Sequence, residues 1–137
     1  MKQKIEKFSI IAFSGTADKL IPLGVLSQAA AAMGYEVKIF VTGWALMYFT
    51  KAPMQAPFPT EFAGFATKLQ EGMLKTKTPG WLDMVKEAKG MGAKIYACSM
   101  MASVMGIEKG QFSDLIDDIV GAATFIQEAQ GGQIVFI

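Results

Sequence analysis

The sequence predicts an α/β fold: a three-layer α/β/α sandwich on a mostly parallel sheet of about five strands. Short runs rich in Ile, Val, Phe and Tyr alternate with longer helix-forming stretches along the chain, and glycines stand where the helices should stop. The first strand, helix and second strand are complete by residue 41. A crossover of that length joins parallel strands, which are normally buried on both faces.

Residues 5–13 (IEKFSIIAF) make the first strand, which ends at Ser14-Gly15-Thr16. Residues 18–33 contain the run Ala29-Ala30-Ala31-Ala32, an acid (Asp18) near the start and Gly34 at the C-terminal cap position, and so form a helix. Residues 35–41 (YEVKIFV) make the second strand, and Thr42-Gly43 opens a short apolar segment at 44–49. In residues 51–80 regularity fails, because Pro53, Pro57 and Pro59 forbid a regular helix or a central strand. This stretch reads as a Pro-rich insertion or lid, with a partial helix at 60–71 where Phe62, Phe65 and Leu69 recur at helical spacing. Residues 81–91 form an amphipathic helix capped by Gly92, and 93–97 (AKIYA) form the next strand, with Cys98 directly after it. A short helix at 99–105 ends at Gly106, and Ile119-Val120 is a brief strand. The last helix, 121–130, stops at Gly131-Gly132, and 133–137 (QIVFI) is the final strand.

A length of 137 residues implies one domain, residues 1–137, around one core. A hydrophobic fraction of 52% against 18% charged residues excludes a disordered chain. The 13 lysines and 12 acids are spread evenly for a formal charge of +1, so nucleic acid is not an expected partner. The longest uncharged stretch, residues 20–35, is too short for a bilayer span and contains Pro22, Ser27 and Gln28, so no integral membrane segment is expected. Met1-Lys2-Gln3-Lys4 leads straight into a strand rather than a signal peptide. Together with a lone unpaired thiol, this points to a cytoplasmic location. A mean hydropathy of +0.33 is high for a soluble monomer and predicts a homo-oligomer that buries apolar surface between subunits.

Three absences restrict the chemistry: the chain has no His, no Arg and only one Cys. There is no imidazole base or ligand, and a single thiol builds neither a zinc site nor an internal disulfide. No metal or cofactor is expected. An anion site would have to use backbone N–H groups, hydroxyls or Lys.

Ligands in parallel α/β sheets gather at the carboxyl ends of the strands. Here those ends are Ser14-Gly15-Thr16, Thr42-Gly43-Trp44, Cys98-Ser99-Met100 and Gly121. Cys98 is the leading catalytic candidate. A sulfur at a helix start lies near the N–H groups of Ser99, Met100 and Met101 and the positive end of the dipole, which suits an anionic sulfur, a persulfide or a bound oxyanion. Its residue type alone fits a small buried side chain equally well. With no second cysteine, any sulfur-loaded form must be discharged by another molecule. Gly15 and Thr16 fit either an anion site or a turn and cap. Lys19 either reaches a thiolate at a neighbouring strand end or is solvated. Met100, Met101, Met105, Met47 and Trp44 read as core, as a low-polarity pocket wall or as a subunit interface. Asp114, Asp117 and Asp118 read as a solvated turn rather than a Mg²⁺ site.

Several strings in order carry a family resemblance: Gly15-Thr16-Ala17-Asp18-Lys19-Leu20, Ala32-Met33-Gly34-Tyr35-Glu36-Val37 with Ile39-Phe40 and Trp44, Gly72-Met73-Leu74, Ala97-Cys98-Ser99-Met100 through Val104-Met105-Gly106-Ile107, and Gly121-Ala122-Ala123-Thr124-Phe125. Over nearly its whole length the chain resembles the DsrE/DsrF/DsrH-like family, in its DsrE-like sulfur-relay branch. The resemblance implies a parallel α/β/α sandwich, assembly into oligomers, and sulfur relay through a persulfide at the position of Cys98. Partners would be sulfur donor and acceptor proteins or small sulfane-sulfur compounds. Two functional readings stand: a sulfur carrier or sulfurtransferase acting through Cys98, and a non-catalytic oligomeric assembly module in which Cys98 is structural. A third, peripheral membrane contact through residues 44–65, rests on apolar content alone.

Overall fold

Alternation of β-branched and aromatic residues puts successive side chains of each strand on opposite faces, and the computed structural model, which describes residues 5–137, uses both faces. The lead-in Met1-Lys2-Gln3-Lys4 lies outside the described residues. In chain order the elements are β1 (Lys7–Ala12), α1 (Ala17–Ala32), β2 (Glu36–Val41), α2 (Ala66–Lys75), α3 (Trp81–Gly90), β3 (Lys94–Cys98), α4 (Ser99–Val104), β4 (Asp118–Val120), α5 (Ala122–Ala129) and β5 (Gln133–Phe136). The sheet has 5 strands in the order β4-β3-β2-β1-β5. Every pairing is parallel.

The connections divide the helices between the faces. From β1 to β4 each strand is added on the same side, and the side chains of α1, α3 and α4 (Leu20, Leu23, Val85, Ala88, Ala102) join Ile10, Ala12, Val37, Ile39, Ile95 and Ala97 in one core. The chain then returns beneath the whole sheet to place β5 beside β1, and α5 covers the opposite face, where Phe125 and Ala129 meet Phe40 and Cys98. This second cover is thin. The sequence expectation of a sheet buried on both faces holds at β2, but β5 leaves Ile134 49% and Phe136 65% exposed.

Most boundaries follow the sequence signals. Gly34 ends α1 at φ 84, and Gly92 and Gly131 play the same part after α3 and α5, at backbone angles that other residues rarely adopt. The apolar segment after β2 is a 3₁₀ helix, Gly43–Phe49, that buries Ala45, Leu46, Tyr48 and Phe49. The partial helix of the insertion differs from expectation: it starts as a 3₁₀ turn, Thr60–Phe65, and becomes α-helical only as α2. Helical spacing of Phe62, Phe65 and Leu69 raised the expectation, yet all three are exposed, so no core contact fixes that register. Among the described residues no helix is long and apolar enough to cross a membrane.

Candidate functional site

Because all strands run the same way, their carboxyl ends share one edge of the sheet. Two groups of residues form there. The first surrounds Cys98, the last residue of β3 and the residue that precedes α4, with φ −68 and ψ 118. Its register partner is Val120 at the end of β4. A Cβ added to Gly121, which follows, would lie 3.8 Å from Ser99 Oγ, so the β4 end meets the start of α4. The Cys98 side chain turns to the α5 face and is only 5% exposed. Its cluster holds Phe40, Phe125 and Ala129, with Ile11, Tyr96, Met101 and Val120 at the margin. The Phe40 and Phe125 rings stack with centroids 4.8 Å apart at 14°. The sulfur is therefore packed among apolar side chains beneath α5. The predicted helix dipole comes from only 6 residues.

One position back on the same face, Tyr96 lies beside Glu128 of α5. Burial, and then the Glu128 carboxylate, push the Tyr96 phenol up to about 12. It stays a neutral phenol across the physiological range.

The second group surrounds Gly15. A Cβ there would come within 2.6 Å of Trp44 Cβ, so only glycine lets the β1 end approach the segment after β2. The Tyr48 hydroxyl donates to the Gly15 carbonyl at 2.6 Å, and burial raises the Tyr48 pKa. The N–H of Ser14 donates to the Ile137 carbonyl, and that of Ala17 donates to Pro57. The Pro-rich insertion is thus tied across the start of α1, where an anion would have docked. Thr16 precedes α1 without a side-chain capping bond. Trp44 is 59% exposed and Met100 64% exposed at this end of the sheet. Met101 is partly buried against both cores. Lys19 is exposed on α1, the helix that packs against the face opposite the Cys98 side chain.

Asp117 belongs to the scaffold. Its carboxylate accepts from Lys89 at 2.7 Å and from the Ile95 N–H at 2.8 Å. Burial alone would raise its pKa, but the Lys89 and Ile95 bonds outweigh burial and hold the carboxyl below the usual range. Asp118 accepts from the Ile119 N–H. Among the described residues no group of three His, Cys, Asp or Glu is placed to hold a metal ion.

Sequence reasoning missed Phe40, Phe125 and Tyr96 as neighbours of the thiol, and Glu128 as the neighbour of Tyr96. Phe125 reaches the thiol, and Glu128 reaches Tyr96, through the long return from β4 to β5, which no local spacing reveals. Tyr48 was hidden within an apolar run.

A family model for the DsrE/DsrF/DrsH-like family matches residues 4–58 and 51–137, and the chain therefore belongs to that family. Sulfur carrier protein DsrE2 of Allochromatium vinosum is 28% identical, with 94% of each chain covered. The uncharacterized protein YrkE of Bacillus subtilis is 25% identical, with 98% of each covered. Among solved structures, the fold is similar to MTH1491 from Methanobacterium thermoautotrophicum, a protein of unknown function, with a TM-score of 0.63 at 11% identity over 96% of this chain and 99% of that one. It is also similar to the ychN protein from E. coli, with a TM-score of 0.62 at 11% identity over 97% of this chain and 100% of that one.

Proposed function

We propose that this member of the DsrE/DsrF/DrsH-like family is a sulfur carrier that receives sulfane sulfur on Cys98, holds it as a persulfide and passes it to an acceptor. The observation that carries the reading is the placement of the chain's one thiol at the carboxyl end of β3, packed against the apolar side chains of Phe40, Phe125 and Val120. Similarity to a protein named as a sulfur carrier supports it.

In the loading step the Cys98 proton passes to solvent and Sγ attacks the outer sulfur of a donor persulfide, polysulfide or thiosulfate. The Sγ–S bond forms as the donor S–S bond breaks, and the bonding pair leaves on the donor thiolate or as sulfite. Delivery reverses the roles: an acceptor thiolate takes the outer sulfur and Cys98 departs as thiolate. Neither step needs an outside oxidant or a second cysteine. Soft, polarizable sulfur suits apolar and aromatic neighbours, and the α5 cover limits the access of water to the sulfur.

Incubation with polysulfide or thiosulfate, followed by intact-mass measurement, should add one sulfur atom to the wild type, removable by dithiothreitol, and none to Cys98→Ser. A wild type that acquires no sulfur sinks the reading. The 5% exposure of Cys98 favours a second reading, in which the thiol only fills the α5 interface. In that case iodoacetamide should leave the folded protein unmodified. The proposal includes a single domain over residues 1–137, a cytoplasmic location and a homo-oligomer, the last supported by the exposed apolar Ile126, Ile134 and Phe136.

A further inference from the structure

The two edges of the sheet are built differently. β4 has 3 residues and opens with the exposed Asp118. Short, charged edges resist pairing with other strands. Residues 129–137 (AQGGQIVFI) have no charged side chain and no proline, so β5 lacks the side-chain devices that discourage a further strand. A Cβ on Gly132 would strike the Lys7 carbonyl oxygen at 2.6 Å, so the chain hugs β1 as it enters β5 and the register is fixed.

That register decides which backbone groups are free. Ile137 donates to the Ile11 carbonyl and accepts from the Phe13 N–H, so its polar groups face β1. By the alternation along a strand, Val135 and Gln133 also face β1, while the N–H and C=O of Ile134 and Phe136 point away from the sheet. The side chains of Ile134 and Phe136 follow their register partners Ser9 and Ile11 onto the α5 face, where Phe136 stacks on Phe13.

We infer that β5 is a homodimer seam, in which β5 of a second copy pairs antiparallel with it about a twofold axis at Val135. Ile134 and Phe136 flank Val135 symmetrically, so each copy offers what the other requires. Ile134 of one chain opposes Phe136 of the other, twice, and each pair exchanges both backbone hydrogen bonds. The two exposed apolar side chains become cross-strand β-branched and aromatic pairs, a favourable combination, and no like charges meet. The result joins the two sheets into one and continues the apolar surface of the α5 face. A second copy is favoured over a foreign strand because it brings an edge equally free of charged side chains and the same two exposed apolar side chains, Ile134 and Phe136, to cover those of the first. The inference rests only on the homo-oligomer part of the proposed function.

Residue-resolved amide exchange on the full chain, with sedimentation, tests it. The wild type should sediment at twice the 14.8 kDa chain mass or as a larger assembly of such pairs. Its Ile134 and Phe136 amides should exchange at least ~100-fold more slowly than in an unstructured peptide. Ile134→Pro removes only an outward N–H, so it should separate the pairs, free the Phe136 amide and leave Val135 protected. If that variant does not fold, Phe136→Lys on the exposed face should separate them instead. Fast exchange at Ile134 and Phe136 in an oligomeric wild type overturns the seam but leaves the homo-oligomer standing. A monomeric wild type overturns both, and a seam variant that folds yet keeps its partner overturns the seam. Sulfur loading of Cys98 in the separated variant is read independently by mass.

Discussion

Replacing Phe125 by alanine should expose Cys98 without unfolding the protein. Phe125 is 1% exposed and stacks on Phe40. Truncating such a core ring costs about 3–5 kcal/mol. The other buried residue of α5 is Ala129, so Phe125 supplies most of the energy that docks this helix, and the cost should fall on that local docking. The body of the sheet keeps its α1 and α3 packing. If Cys98 reacts only when α5 lifts, and reclosing is fast, the labelling rate follows the open population. At about 1.4 kcal/mol per tenfold, a loss of about 3 kcal/mol raises the rate roughly 100-fold. Iodoacetamide kinetics under native conditions measure this directly, because the chain has 1 Cys. Thr124→Ala, an exposed change on the same helix, should alter the rate by less than about threefold, since surface substitutions stay within about 0.5 kcal/mol. Phe125→Ala labelled at the wild-type rate would refute α5 as the cover. So would a wild type that already reacts like a free thiol peptide.

Two further outcomes follow from the scaffold. Gly24→Ala in α1 should gain about 1 kcal/mol of helix propensity, but its Cβ would sit 2.8 Å from the Trp81 carbonyl oxygen and 3.0 Å from Met84 Cβ. Overpacking of about 1–3 kcal/mol should win, and thermal unfolding should show a lower Tm; an unchanged or higher Tm contradicts the close α1–α3 approach. Asp117→Asn should cost about 1 kcal/mol at neutral pH, less than the ~1.5–3 kcal/mol of a buried charged hydrogen bond because the pair is partly exposed. The folded carboxyl ionises below its ordinary 3.8, so this stabilisation is full above that value and lost as the pH falls through the lower, folded one. Urea unfolding should therefore show the gap between wild type and variant closing in acid, and a gap independent of pH would be the wrong result.

The strand and helix order was legible because each element carries its own local signal: the run IVF in β5, the alanines of α1, the glycines at helix ends. Cys98 was legible as a strand-end residue for the same reason. Its burial was not, because the cover comes from Phe125, after the chain has crossed beneath the sheet. The insertion was legible as irregular from its prolines, but its anchoring was not, since the bond from Ala17 N–H to the Pro57 carbonyl joins backbone groups that carry no side-chain identity. The thin cover over β5 escaped detection because its apolar run reads the same whether a helix, a second copy or solvent lies on it.

The pairing of β5 with β1 also has a kinetic meaning. Ile10 finds Ile39 within its own β-α-β unit, whereas it must find Val135 from the far end of the chain. Closing that large loop is entropically slow. By that argument the β1-α1-β2 unit and its α3 neighbour should form first, as a nucleus of nearer contacts, and β5 should dock after the main barrier. Interactions along β5 then govern how long the native state survives rather than how quickly it is reached. Stabilising this strand, as a second copy would, should then prolong the folded lifetime and leave the folding rate unchanged.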